Sequence, residues 1–266
     1  MLPAAGAESY RAHLQLLQAP GAGAWLHAPP CEALGLHLAS PLFKVLVRMR
    51  LRLALSDKDI ACPLCDGIAD RFGDHARMCP CGGDRTKRHH RLRSVLAARA
   101  QAAGLSPEIE KSGLLPPRPE EHGGPEDGSS RGQSSRRPAD VWVPSWGVHG
   151  PAAFDLAVTS GLRQGQAAAS TADGSRAAAA YEDRKNQHLN TLSTCTAEGF
   201  QFLPLVAEAC SGGWGPVATK TWKELAAAIA ARSNESVATE TERLLQSLAV
   251  ALQRENARAV LRRFGE

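Results

Sequence analysis

The stretch CPLCDGIADRFGDHARMC, residues 62–79, limits what this chain can fold into more than any other part of it. Its Cys62 and Cys65 are separated by two residues, so both thiolates can face one ion from a single turn. His75 and Cys79, spaced by one helical turn, can close the set, and four such ligands make a tetrahedron. A complete tetrahedron leaves no open position, so the expected ion is a structural zinc whose binding helps to fold a segment with little core of its own. Four of the cysteines, Cys62, Cys65, Cys79 and Cys81, lie within this neighbourhood, while Cys31, Cys195 and Cys210 stand apart. Spacing alone leaves Cys81 as an alternative to Cys79. A RING arrangement needs more ligands than the neighbourhood supplies.

No run of the sequence approaches the ~18 apolar residues of a membrane span, and residues 1–23 lack a basic then apolar leader pattern. We therefore expect a soluble, non-secreted protein without a membrane partner. The net charge of +4 is modest, but Arg85, Lys87, Arg88, Arg91 and Arg93 crowd together with His89 and His90 in DRTKRHHRLR. This local field suits phosphates. Arg85, Lys87, Arg88, His89 and Arg91, with Arg137 further on, are the expected nucleic-acid contacts; the bland reading is a solvated helix start.

The chain divides into four parts. Residues 1–58 read as helices with Pro41 in a first turn, and 59–91 hold the knuckle and its basic run. Residues 92–216 form an α/β domain, and 217–266 are helical with a break at Ser233 and Asn234. Within the α/β part, RLRSVLAARAQAAG is a helix closed by Gly104, and LSPEIEKSGLL is short and strand-like. The Pro-, Gly- and Ser-rich stretch 116–137 is too poor in apolar residues to pack and is expected as a disordered loop. ADVWV and AAFDLAVT form a β-hairpin turning at Gly147 and Gly150. AAAAYEDRKNQHLNTLSTCTAEG reads as one helix with Tyr181 in the core, and FQFLPLVAEA as a buried strand.

Asp155 stands inside the apolar strand AAFDLAVT, where an unpaired ionised carboxylate costs several kcal/mol. A hairpin turning between Gly147 and Val148 sets Asp140 directly across from it. Opposed carboxylates repel unless a cation lies between them, which is how Mg²⁺ sites for phosphoryl transfer are built. Glu110, beside Glu108 in the preceding strand, is a candidate third ligand, and Lys185 a candidate to orient water or steady charge. The alternative is purely structural: Asp140 capping a strand entrance and Asp155 paired with Arg137 or Lys185.

The order of these parts, a CCHC knuckle, then RHH at Arg88–His90, then RRPAD ending at Asp140, then Asp155 and a displaced lysine, is distinctive. It resembles the C-terminal portion of site-specific non-LTR retrotransposon proteins that carry a restriction-like endonuclease of PD-(D/E)xK architecture. The resemblance spans roughly residues 55–215. It implies a restriction-endonuclease-like core, a central mixed β-sheet flanked by helices, between a zinc knuckle with a helical N-terminal segment and a C-terminal helical tail. It also implies Asp140 and Asp155 as the Mg²⁺-holding acids, Lys185 as the catalytic lysine moved onto a helix, and nicking of target DNA. The match departs at Pro138-Ala139-Asp140, which has an extra residue, at Asp155-Leu156-Ala157, which lacks the strand lysine, and at RHH itself.

No polymerase core is visible, so a reverse transcriptase would come from a longer polyprotein or a separate chain. DNA is the expected partner, with element RNA as a second nucleic acid, and a nuclear location follows from the DNA substrate alone. Two other functions compete with the nuclease. One is an inactive zinc-dependent DNA- or RNA-binding remnant; the other is a protein scaffold using the apolar face of residues 236–262.

Overall fold

The computed structural model of the protein describes residues 4–116, 138–163 and 166–265. All but the first residue of the expected loop 116–137, including Arg137, therefore lies outside the described residues. In chain order the elements are α1 (Ala4–Leu16), a 3-10 turn (Ala24–Leu26), α2 (Ser40–Arg50), β1 (Ile60–Ala61), β2 (Ile68–Ala69), α3 (Asp74–Met78) and α4 (Asp84–Ala102). They continue with β3 (Glu108–Ile109), β4 (Val141–Val143), a 3-10 turn (Gly147–His149), β5 (Ala152–Thr159), α5 (Ala167–Ser170), α6 (Arg176–Gln187) and a 3-10 turn (His188–Asn190). The last are α7 (Thr191–Ala197), β6 (Gln201–Glu208), α8 (Pro216–Ser233) and α9 (Val237–Phe264).

This is a mixed α/β protein with a four-stranded sheet in the order β3-β4-β5-β6. The first three strands form an antiparallel meander, and β6 returns through α6 and α7 to pair with β5 in parallel. The hairpin has the expected register: Val141 opposes Phe154, Trp142 opposes Ala153 and Val143 opposes Ala152. Gly147 and Gly150 turn it with φ of 56° and 79°, values that disfavour a side chain.

One face of the sheet carries Val141, Val143, Phe154, Leu156 and Leu205 into a core shared with α4, α8 and α9. The other carries Trp142, Ala153 and Phe202 against Cys195 and Phe200. Alanine, leucine and valine make up much of the core. The five tryptophans add to it, each in an edge-to-face aromatic pair, as in Trp214 on Trp222 and Trp146 on Phe154 at 5.0 Å.

Helix α4 shows how local sequence places the site. Arg88, Leu92, Leu96 and Ala100 recur at every fourth position and are all buried. The helix closes in a Schellman motif, Gly104 N–H to Gln101 O and Leu105 N–H to Ala100 O, with Gly104 at φ 77°.

Two helices are shorter than the sequence suggests. The segment read as one helix breaks into α6 and α7 at Leu189 and Asn190, whose φ values are 53° and 54°. The hydroxyls of Thr191, Ser193 and Thr194 donate to the carbonyls of His188 and Asn190 there, a local alternative to continuous helix. Likewise α2 ends at Arg50, and Arg52, at φ 55°, turns to Asp74 of α3.

The break at Ser233 and Asn234 is present, with Asn234 at φ 58° and Ser236 capping α9 through Thr239 N–H. The apolar face of α9 offered above as a scaffold surface is consumed by the fold: Leu244, Leu248 and Leu252 are fully buried in the core and Val260 packs with α2. No helix of the described residues is long and apolar enough to cross a membrane.

Candidate metal centre and acidic cleft

The knuckle is built from two short elements. β1 and β2 form a ribbon, and Cys62 N–H donates to Gly67 O at 2.8 Å, closing the turn that bears Cys62 and Cys65. A Cβ on Gly67 would stand 2.9 Å from His75 Cε1, so only glycine lets the imidazole approach. Asp70 caps the start of α3, accepting Asp74 N–H at 3.1 Å and His75 N–H at 2.6 Å, and thereby aims His75 at the turn.

The ligand atoms of Cys62, Cys65, His75 and Cys79 lie within 4.8 Å of one another. Cys65 Sγ is 3.3 Å from His75 Nε2 and 3.6 Å from Cys79 Sγ. The edges of a zinc tetrahedron with Zn–S of about 2.3 Å and Zn–N of about 2.0 Å are of this length. This Cys₃His cluster can hold a zinc ion, and Cys81 is not part of it. Against burial, hydrogen bonds from the Leu64 backbone, His75 and Cys65 bring the Cys62 thiol down to about 6. Against the Gly67 N–H, burial and the neighbouring sulfurs push Cys65 up to about 11. Crowded sulfurs cannot all ionise without a cation among them.

The knuckle is tied to the rest of the protein by buried arginines. Arg263 reaches Cys81 O at 3.2 Å and Asp84 Oδ2 at 2.8 Å, while Arg88 donates to Arg77 O and Asn256 Oδ1, both at 2.7 Å. Asp74 pairs with Arg52 at 2.6 Å and with Arg77; against burial, these two arginines hold its carboxyl below the usual range.

Beside the knuckle opens a cleft of about 520 Å³, lined among others by Pro80, Arg85, His89, Asp140, Asp155 and Lys185. Asp140 precedes β4, at the point where the hairpin ladder ends. Its N–H donates to Phe154 O at 2.9 Å, and its Oδ2 accepts Leu156 N–H at 2.7 Å in place of a further backbone rung. Its Oδ1 is 3.0 Å from His89 Nε2.

Asp155, one residue along β5, meets Lys185 of α6, whose Nζ is 2.8 Å from Oδ2 and 3.2 Å from Oδ1. Burial lifts the Asp155 carboxyl to about 6, with the Asp140 charge adding to the rise and Lys185 opposing it. Against its own burial, Lys185 is held above its ordinary range by Asp155.

The structure brings Asp140, Asp155 and Lys185 together, but Glu110 is not in the lining of the cleft. Its N–H donates to Asp140 O at 3.1 Å, and its carboxylate pairs with Arg93. Among the basic residues, Arg85, Lys87 and Arg91 are exposed. Arg88 also lines the cleft, but it is only 4% exposed and its guanidinium ties α4 to α3 and α9.

Helical phase explains the split. Arg85, His89 and Arg93 form one stripe of α4 that runs from the cleft to Glu110, whereas Arg88 shares the phase of Leu92 and Leu96. The cleft also holds Tyr181, a half-buried residue expected in the core. It lies one helical turn before Lys185 on α6, and that spacing was the signal for it.

The lining of the cleft thus combines two carboxylates, a lysine and the Arg85–His89 stripe of α4. No protein-family model, curated protein or solved structure matches the chain.

Proposed function

We propose that the protein is a metal-dependent DNA endonuclease, derived from a site-specific retrotransposon, that nicks target DNA. The convergence of Asp140, Asp155 and Lys185 in one cleft under the Arg85–His89 stripe carries this reading. The order α4, β3-β4-β5 meander, α6, parallel β6 supports a restriction-endonuclease-like core, since it sets one acid at the entrance to β4 and the other on β5 and lets a helix supply the lysine.

The residues fit Mg²⁺. Their donors are carboxylate oxygens, and the raised Asp155 carboxyl reflects burial and like charge that a cation would relieve. When bound, Mg²⁺ would neutralise the phosphate and lower the pKa of a water. Asp140 and Asp155 would hold it. Lys185 would orient the attacking water or steady the charge developing on the phosphate, from a helix instead of from position 157, where β5 has alanine. Arg85, in the cleft lining, would contact a backbone phosphate there, while Lys87 and Arg91 lie exposed on the other side of α4. A zinc ion in the Cys₃His cluster would be structural, holding the cleft wall at Pro80. Contact with element RNA and a nuclear location belong to the same proposal, with a reverse transcriptase supplied by a longer polyprotein or a separate chain.

One observation favours a second reading, an inactive binding remnant: each acid already has a basic partner, Lys185 for Asp155 and His89 for Asp140. Asp155→Asn separates the two. Under the nuclease reading it abolishes nicking and leaves DNA affinity unchanged. An Asp155→Asn protein that matches a wild type with no nicking of its own would favour the remnant.

A further inference from the structure

The sequence groups His89 with the phosphate-binding residues, yet its ring nitrogen Nε2 stands on Asp140 Oδ1 at 3.0 Å. The other oxygen, Oδ2, accepts Leu156 N–H at 2.7 Å. The carboxylate is thus gripped at both oxygens, once by β5 and once by α4, at the place where the ladder between β4 and β5 ends. Its plane and rotation are set by two elements that approach from different directions.

The mount of His89 is rigid. Helix α4 starts at Asp84, which is clamped by Arg262 and by Arg263 at 2.8 Å, and one turn on Arg88 is bonded to Arg77 O and Asn256. Both α9 and the knuckle therefore fix where His89 stands. Its neighbours on the same helix stripe, Arg85 and Arg93, face the cleft and Glu110 respectively.

We propose that His89 is a positioning residue that holds Asp140 in the orientation needed to receive a divalent cation, and not a contact to the nucleic-acid backbone. The inference rests on the reading of the cleft as a cation site. Loss of a partner that orients a metal-ligating side chain typically costs roughly 10- to 100-fold in metal affinity. Without His89, Asp140 is held by Leu156 alone and is free to turn about its remaining bond.

The test is a Mn²⁺ titration of the full-length, zinc-loaded protein, read by electron paramagnetic resonance of free Mn²⁺, with no DNA present. Asp155→Asn marks which bound Mn²⁺ belongs to the cleft. His89→Ala should weaken that site by roughly 10- to 100-fold. His89→Gln, whose amide can reach the same oxygen, should restore it to within a few-fold, and His188→Ala at the exposed end of α6 should match the wild type. A His89→Leu variant of similar bulk guards against a folding defect in the alanine protein, with thermal unfolding measured on each.

Wild-type affinity in His89→Ala and His89→Leu would overturn the inference, as would a glutamine variant as weak as alanine or a wild type with no cleft-bound Mn²⁺. Failure of the nuclease reading has a different signature: cleft-bound Mn²⁺ that depends on His89, with no nicking by the wild type.

Discussion

Lys185 Nζ lies 2.8 Å from Asp155 Oδ2, although thirty positions and a change of element separate the two residues. Ala157, two residues beyond Asp155 on β5, lines the same cleft. Ala157 and Lys185 thus line one cleft from β5 and α6. Lys185→Ala should reduce nicking by at least about 100-fold, in the range of a lost acid–base or electrostatic group. The double change Ala157→Lys with Lys185→Ala should recover part of that activity. Single-turnover nicking rates check both, and an unaffected Lys185→Ala would remove the lysine from the account.

The basic run should divide by helical phase. Arg85→Ala should weaken DNA binding about equally for all sequences and lower the salt dependence of affinity by about one unit of slope. Arg88→Ala should instead destabilise the fold by roughly 2–4 kcal/mol, because Arg77 O and Asn256 Oδ1 lose a buried donor. Fluorescence anisotropy across a salt series and urea unfolding separate the two effects.

Much of this architecture is legible in the sequence, because it follows from local spacing. The ligand spacing of Cys62, Cys65, His75 and Cys79 gives the metal cluster, and the turn glycines give a hairpin register that the ladder from Val141 to Val143 reproduces. The break between α6 and α7 was harder to read, since no Pro or Gly marks it and the disruption comes from hydroxyl groups competing for carbonyls. The contact of His89 with Asp140 joins positions 51 residues apart and follows only from how α4 lies across the sheet. Arg88 was within reach: the phase of Leu92, Leu96 and Ala100 already assigns it to the buried side. Glu110 falls just past β3, in a turn at φ 50°, and its pairing with Arg93 could not be read without the helix.

Zinc removal should act well beyond the knuckle, since Arg263 joins Cys81 O and Asp84 to the end of α9. If zinc is present at about a thousand times its dissociation constant, chelation removes about 4 kcal/mol. In a protein of this size that lowers Tm by about 8–16 °C. Hydrogen exchange should rise at the start of α4 and the end of α9 as well as in residues 60–83. Exchange confined to the knuckle would show that it is uncoupled.

The pH dependence of cation binding follows from Asp155, whose carboxyl is lifted to about 6 by burial, with Asp140 adding to the rise and Lys185 opposing it. The protonated form prevails below that value, so protons compete with the cation there. Mn²⁺ affinity should therefore fall as pH drops through about 6 and level off above about 7. Titrations between pH 5 and 8 read this directly, and a flat profile would contradict the assignment of Asp155 as a ligand.

The most direct measurement of the central claim is nicking of supercoiled plasmid by the purified zinc-loaded protein in Mg²⁺, beside Asp140→Ala and Asp155→Ala. The account predicts open-circular product with the wild type, none when EDTA replaces Mg²⁺, and none with either variant, while all three proteins shift DNA in a gel. Equal nicking by wild type and both variants, or none by any of them, would contradict it.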